Sequence, residues 1–229
     1  MTFNDESVFE QSVIELLQRH GWGEVIDYPS EETLLDNWAQ ILFENNRSVD
    51  RLGDVPLTKT EMAQIVEQIV NLRTPLRLNK FINGRTVSVR RDASASPNVG
   101  KEVSLKIYDR MEIAGGQSRY QIARQPRYKA SNKILPPRRG DLALLINGMP
   151  VIHVELKRSG VPVSQAYHQI EKYAHEGVFS GMFSLVQVFV AMTPDQTRYF
   201  ANPGPEGKFN QDFYFQWADF NNEPINEWD

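Results

Sequence analysis

The chain has 229 residues, 41% of them apolar, and no cysteine, so it can bury a sizeable core while disulfides and thiolate metal sites are excluded. Its longest apolar runs, such as Val188–Met192, fall far short of the roughly 20 residues a membrane helix needs. The formal charge of -4 hides an asymmetry: residues 1–72 carry 4 basic and 14 acidic side chains, residues 73–139 carry 16 and 4, and residues 140–229 carry 5 and 11.

The first eleven residues lack the basic start and apolar stretch of a secretory signal, so a soluble cytoplasmic protein that does not engage a membrane is expected. Asn4 or Asp5 caps a first helix whose apolar stripe is Val8, Phe9, Val13, Ile14, Leu16 and Leu17, and Gly21 stops it. Glu10 lies in line with Val13, Ile14 and Leu17, in or beside that stripe. A second helix is predicted from Glu31 to about Glu44. A third opens with a capping box, Thr58 with Glu61, and runs through Ile65 and Ile69 toward Pro75.

From about Phe81 the periodicity changes. Residues 86–90 and 103–108 alternate apolar with polar, as half-buried strands do, around a loop at 92–100. The segment 73–139 includes Arg90, Arg91, Arg124, Arg127, Lys129, Lys133, Arg138 and Arg139, interleaved with Tyr120 and Tyr128. It reads either as a surface that balances the acidic flanks within one fold or as a track for a polyanion. On the second reading Arg124, Arg127, Lys129, Lys133, Arg138 and Arg139 hold a nucleic-acid backbone.

Residues 141–157 form a predicted hairpin through Asn147-Gly148. Glu155 and Lys157 stand two apart on one strand and share a face. Glu206 and Lys208 repeat the spacing, but in a Pro/Gly loop that holds nothing rigid. With a strict two-residue turn, Asp141 would oppose Val154 and turn away from Glu155. A three-residue connection with a Gly bulge, or an equivalent bulge elsewhere in the pair, restores a common face. In the bulged-turn register Asp141 opposes His153. Leu142, Leu144, Ile146, Ile152, Val154 and Leu156 then make one apolar face, and Asp141, His153, Glu155 and Lys157 gather on the other. Two carboxylates and a lysine at the end of a strand pair suit Mg²⁺ held by Asp141 and Glu155, with Lys157 beside the reacting phosphate. The bare spacing also fits an ordinary salt-bridged strand end. His153 is expected to be a packed neutral histidine. A helix from about Ser164 to His175 follows, then strands near 185–192, 198–200 and 213–216, a loop at 202–210 and the start of an onward connection. A single α/β domain accounts for all of this.

The segment from Arg138 to Gly160 resembles the core motif of PD-(D/E)xK nucleases, and more closely the N-terminal nuclease domain of the R subunit of type I restriction–modification enzymes. The resemblance rests on Asp141, residues 147–150 (NGMP), the Glu155-Leu156-Lys157 triplet, and Gln169 with Tyr173 as a QxxxY motif. It continues through residues 187–203 and 213–219. It implies a restriction-endonuclease-like α/β fold, a mixed sheet flanked by helices. A basic β-rich insertion falls at about 73–139 and a catalytic core at about 138–219 of one nuclease domain, 1–229, at the N-terminal end of a longer subunit. It implies Mg²⁺-dependent endonucleolytic cleavage of double-stranded DNA, with Gln169 and Tyr173 supporting the site and Glu10 as a further metal-side carboxylate. Gly140 stands where the family usually has Pro. Methyltransferase and specificity subunits are implied partners of the whole enzyme. ATP belongs to the motor beyond this segment, because no GxxxxGK[ST] loop occurs in the chain. Two alternatives stay open: a DNA-binding or docking module with an inactive site, and a standalone repair nuclease of the same fold.

Overall fold

The computed structural model describes residues 2–47, 52–82, 86–107, 118–129 and 136–228. Among the described residues, five α-helices and a seven-stranded mixed sheet dominate it. Helix α1 (Glu6–Arg19) begins where Asp5 accepts the Ser7 amide, and α2 (Glu31–Asn46) where Ser30 accepts the Thr33 amide. Helix α3 (Lys59–Val70) carries both bonds of the Thr58–Glu61 capping box. A short helix, α4 (Pro75–Ile82), follows, with Pro75 at its first position, where its missing N–H is not needed.

The sheet runs β1 (Glu24–Asp27), β4 (Tyr120–Arg124), β7 (Leu142–Ile146), β8 (Met149–Leu156), β9 (Val188–Thr193), β10 (Gln196–Ala201), β11 (Phe215–Gln216). The pairs β1–β4 and β8–β9 are parallel and the rest antiparallel. Helix α5 (Val163–His175) makes the β8–β9 crossover. Two ribbons stand apart: β2 (Thr86–Arg90) with β3 (Glu102–Lys106), and β5 (Arg127–Tyr128) with β6 (Arg138–Arg139).

Alternation along the strands divides the core. Ile122, Leu142, Leu144, Ile152, Val154 and Leu156 face α1 through Phe9, Val13 and Ile14. Ala123, Ala143 and Leu145 face a second cluster with Trp38 and Leu42 of α2 and Ile65 and Ile69 of α3. Phe189, Ala191 and Phe200 meet Ala166 and Ile170 of α5. Each such large apolar side chain taken out of water contributes about 1.5–3 kcal/mol, which fixes which face of the central strands the polar residues must share.

Three expectations are corrected. Strand β4 is no part of a basic insertion, because it lies inside the main sheet between β1 and β7. The hairpin turn is a strict two-residue one, with Asn147 at φ 50° and Gly148 at φ 82°, the left-handed pair that such a turn requires. A Cβ at Gly148 would also lie 2.9 Å from Trp38 Cα. The expected alternative, a bulge elsewhere in the pair, is met beside Pro150, which has no N–H for the ladder: Leu144 opposes Ile152, and Leu145 opposes Pro150. This shifts the register the other way, so the next pair beyond Leu142–Val154 sets Asp141 opposite Glu155 rather than His153. The segregation of faces survives, except that Ile146, at the turn, packs with the α2–α3 cluster.

Candidate active site

Asp141 opens β7 and Glu155 nears the end of β8, at the end of the ribbon away from the turn. Asp141 Oδ2 accepts the Leu156 amide at 2.7 Å, which holds one carboxylate against the other strand. The Lys157 amide bonds Met192 of β9 at 2.9 Å, and its Nζ turns back to the Leu156 carbonyl at 2.7 Å. Nζ also stands 3.6 Å from Glu155 Oε1 and 3.6 Å from Glu6 Oε1.

Gln169 and Tyr173, one turn apart on α5, face the same carboxylate. Gln169 Nε2 donates to Glu155 Oε1 and lies 2.8 Å from the Tyr173 hydroxyl, which donates to the Arg139 carbonyl at 2.9 Å. His153, two residues before Glu155, is fully buried. Its Nε2 is 3.2 Å from Glu155 Oε2 and its Nδ1 2.9 Å from the Tyr128 hydroxyl. Asp141, Glu155, Lys157, Gln169 and Tyr173 are therefore brought together from three elements.

The electrostatics follow from two carboxylates out of water with one ammonium beside them. Burial, and then the Glu155 charge, push Asp141 well above the carboxylate range, and the Leu156 amide only partly offsets this. Burial raises Glu155 to about 8 against the pull of Lys157. Burial and the Glu155 charge lift Tyr173 to about 12, while burial alone drives His153 down to about 4 and keeps it neutral. Glu6, Asp141 and Glu155 thus outnumber Lys157, a deficit of positive charge lined with hard oxygen donors. Among the described residues no three His, Asp or Glu side chains are grouped to hold one ion. What the chain offers a divalent cation is the Asp141–Glu155 pair, which fits an ion that keeps several waters.

Glu10 is buried, but its oxygens are taken by Arg124 at 2.7 Å and by Gln125 at 3.1 and 3.2 Å. The expectation that it joins the metal ligands is not met by this geometry, because a guanidinium already neutralises it. The first-helix carboxylate beside Lys157 is Glu6, one turn earlier, and only its i, i+4 relation to Glu10 could have pointed to it.

The basic residues divide in the same way. Arg124 is paired with Glu10 and Arg138 is bidentate to Glu176 at 2.6 and 2.8 Å. Arg91 is sealed against Glu61 at 2.8 Å, with both side chains inaccessible. Arg127, Lys129 and Arg139 are exposed, and Arg127 faces Arg139 across the β5–β6 ribbon that leads into Gly140 and Asp141. Lys133 lies outside the described residues.

A family model described as Type I restriction enzyme R protein N terminus matches residues 2–208. An endonuclease subunit of a type I restriction enzyme from Staphylococcus saprophyticus is 29% identical over 226 residues, covering 99% of this chain and 22% of that protein. The EcoprrI endonuclease subunit of Escherichia coli is 37% identical over 91 residues, 39% of this chain and 29% of that protein. A putative type I restriction enzyme endonuclease subunit of Methanocaldococcus jannaschii is 25% identical over 216 residues, 91% of this chain and 20% of that protein. The chain spans about a fifth of the length of the relatives it matches from end to end. With its matched span taking in every residue of the carboxylate–lysine site, the chain belongs to the type I restriction enzyme R protein N-terminus family.

Proposed function

We propose that this chain is the nuclease module of a type I restriction enzyme R subunit, with a PD-(D/E)xK fold spanning 1–229, and that it hydrolyses a phosphodiester of double-stranded DNA. The observation that supports this best is the convergence of Asp141, Glu155 and Lys157 at the open end of the β7–β8 ribbon, with Gln169 anchored on Glu155. Asp141 and Glu155 would hold Mg²⁺, which supplies charge stabilisation at the phosphoryl oxygen and makes water a better nucleophile. Lys157, steadied by the Leu156 carbonyl, orients the attacking water and offsets charge growing on the phosphate. Gln169 and Tyr173 fix the carboxylate and tie α5 to the strand that carries Arg139.

Arg127, Lys129 and Arg139 grip DNA through phosphates, contacts that position the duplex without reading its sequence. Sequence recognition and ATP-driven translocation fall to the rest of the subunit and to its methyltransferase and specificity partners. In the intact enzyme Glu155→Ala and Lys157→Ala are expected to abolish cleavage and leave translocation unchanged. Cleavage at the wild-type rate in both variants would overturn the assignment.

A further inference from the structure

We propose that His153 is a positioning residue for Glu155, set in place by Tyr128, which fixes one oxygen of the carboxylate. The proposal rests on the metal-dependent nuclease reading above. Glu155 is held from two sides: Gln169 on Oε1 and His153 on Oε2, the latter at 3.2 Å. With a cation bound, Glu155 is ionised and only accepts hydrogen bonds, so His153 Nε2 would carry the proton and Nδ1, 2.9 Å from the Tyr128 hydroxyl, would take that of the phenol. The ring cannot turn. Phe179, Tyr128 and Phe189 wall it in at centroid distances of 5.1, 5.8 and 6.2 Å.

The chemical type of the donor matters. A Lys or Arg at 153 would make an ion pair with Glu155 and cancel the charge that a divalent cation needs. The imidazole, held on its other side by the Tyr128 hydroxyl, grips the oxygen instead. The backbone is shaped around the pair: a Cβ at Gly140 would lie 2.7 Å from His153 Cε1 and 2.8 Å from Tyr128 Cε2. The glycine beside Asp141, where the resemblance expects Pro, is what room for this dyad demands.

The test is Mn²⁺ calorimetry on the intact protein without nucleotide, with melting temperatures and the Mg²⁺ dependence of cleavage measured on the same samples. Groups that orient a metal ligand typically change metal affinity about 10–100-fold when removed. His153→Leu is expected to weaken Mn²⁺ binding by about that factor and to raise the Mg²⁺ needed for cleavage. Tyr128→Phe removes one hydroxyl and should shift both in the same direction while folding normally. His153→Gln, whose amide nitrogen reaches the same oxygen, should restore most of the affinity. Lower melting temperatures with wild-type Mn²⁺ affinity in His153→Leu and Tyr128→Phe would leave only a packing role and overturn the proposal. A Glu155→Ala control separates the two levels. If it binds Mn²⁺ like wild type, the nuclease reading fails and carries this proposal with it. If it loses binding while His153→Leu does not, only the role of His153 fails.

Discussion

Replacing Glu155 by Gln removes a charge and almost no volume, so it measures what this site withholds from folding stability. In the absence of metal, burial raises Glu155 from its ordinary 4.5 to about 8. The native state therefore binds this proton more tightly than the unfolded chain does. The penalty is absent below pH 4.5, grows between pH 4.5 and 8, and is complete above pH 8. A displacement of that size corresponds to roughly 5 kcal/mol when complete, of which about 3 kcal/mol has accumulated at pH 7. Gln does not ionise and escapes it. Its carbonyl oxygen can still accept from Gln169, and its NH₂ can donate to His153 Nε2 if the imidazole takes its other neutral tautomer and donates from Nδ1 to Tyr128. Asp141, relieved of its neighbour, would ionise more readily and return part of the gain, so 3 kcal/mol is an upper bound. For a domain of this size the bound is a rise in melting temperature of about 6–12 °C. The assay is thermal unfolding in a chelator from pH 5 to 9. Glu155→Gln should melt nearly with wild type at pH 5 and increasingly above it toward pH 8, while Mg²⁺ should stabilise only the wild type. A difference that does not vary with pH, or a lower melting temperature at pH 8, would refute the electrostatic account.

Arg91→Met should destabilise the protein by about 3–5 kcal/mol in chemical denaturation, because it leaves Glu61 charged and unpaired in the core. The double variant with Glu61→Leu should recover much of that loss. Arg127→Ala and Arg139→Ala should each weaken DNA binding alike on all sequences and reduce the salt slope of affinity by about one in a fluorescence titration. Neither should lower the melting temperature, since both side chains are exposed and the Tyr173 hydroxyl bonds only the Arg139 backbone.

What was legible in the sequence was what local rules encode. The capping signals placed α1 and α3, and the face alternation of β7 and β8 put Asp141, Glu155 and Lys157 together. Helix α4 escaped because Pro75, read as the stop of α3, is also a good first residue of the next helix. Strands β1 and β4 escaped for a different reason. Gln121 is buried in mid-strand, satisfied by Asn37 and Glu24, and so breaks the apolar pattern that marks a strand. The dyad of Tyr128 and His153 joins residues 25 apart through a two-residue ribbon, and no periodicity carries that information.

Charge was the least legible feature, and its resolution bears on function. The basic middle and acidic flanks do neutralise each other, through Arg91–Glu61, Arg119–Glu44, Arg124–Glu10 and Arg138–Glu176. A local count of arginines therefore says little about which of them meet a ligand. The informative ones are those the fold leaves in conflict. Arg127 and Arg139 sit directly opposite on a two-stranded ribbon, exposed and, among the described residues, in no ion pair. Like charges so placed are destabilising by up to about 1 kcal/mol. A local rule broken beside a site usually marks function, and here the strain is relieved by any anion lying across the ribbon. The ribbon runs through Gly140 into Asp141, so a phosphate gripped by the two arginines would lie along the path to the carboxylates that are to cut its neighbour.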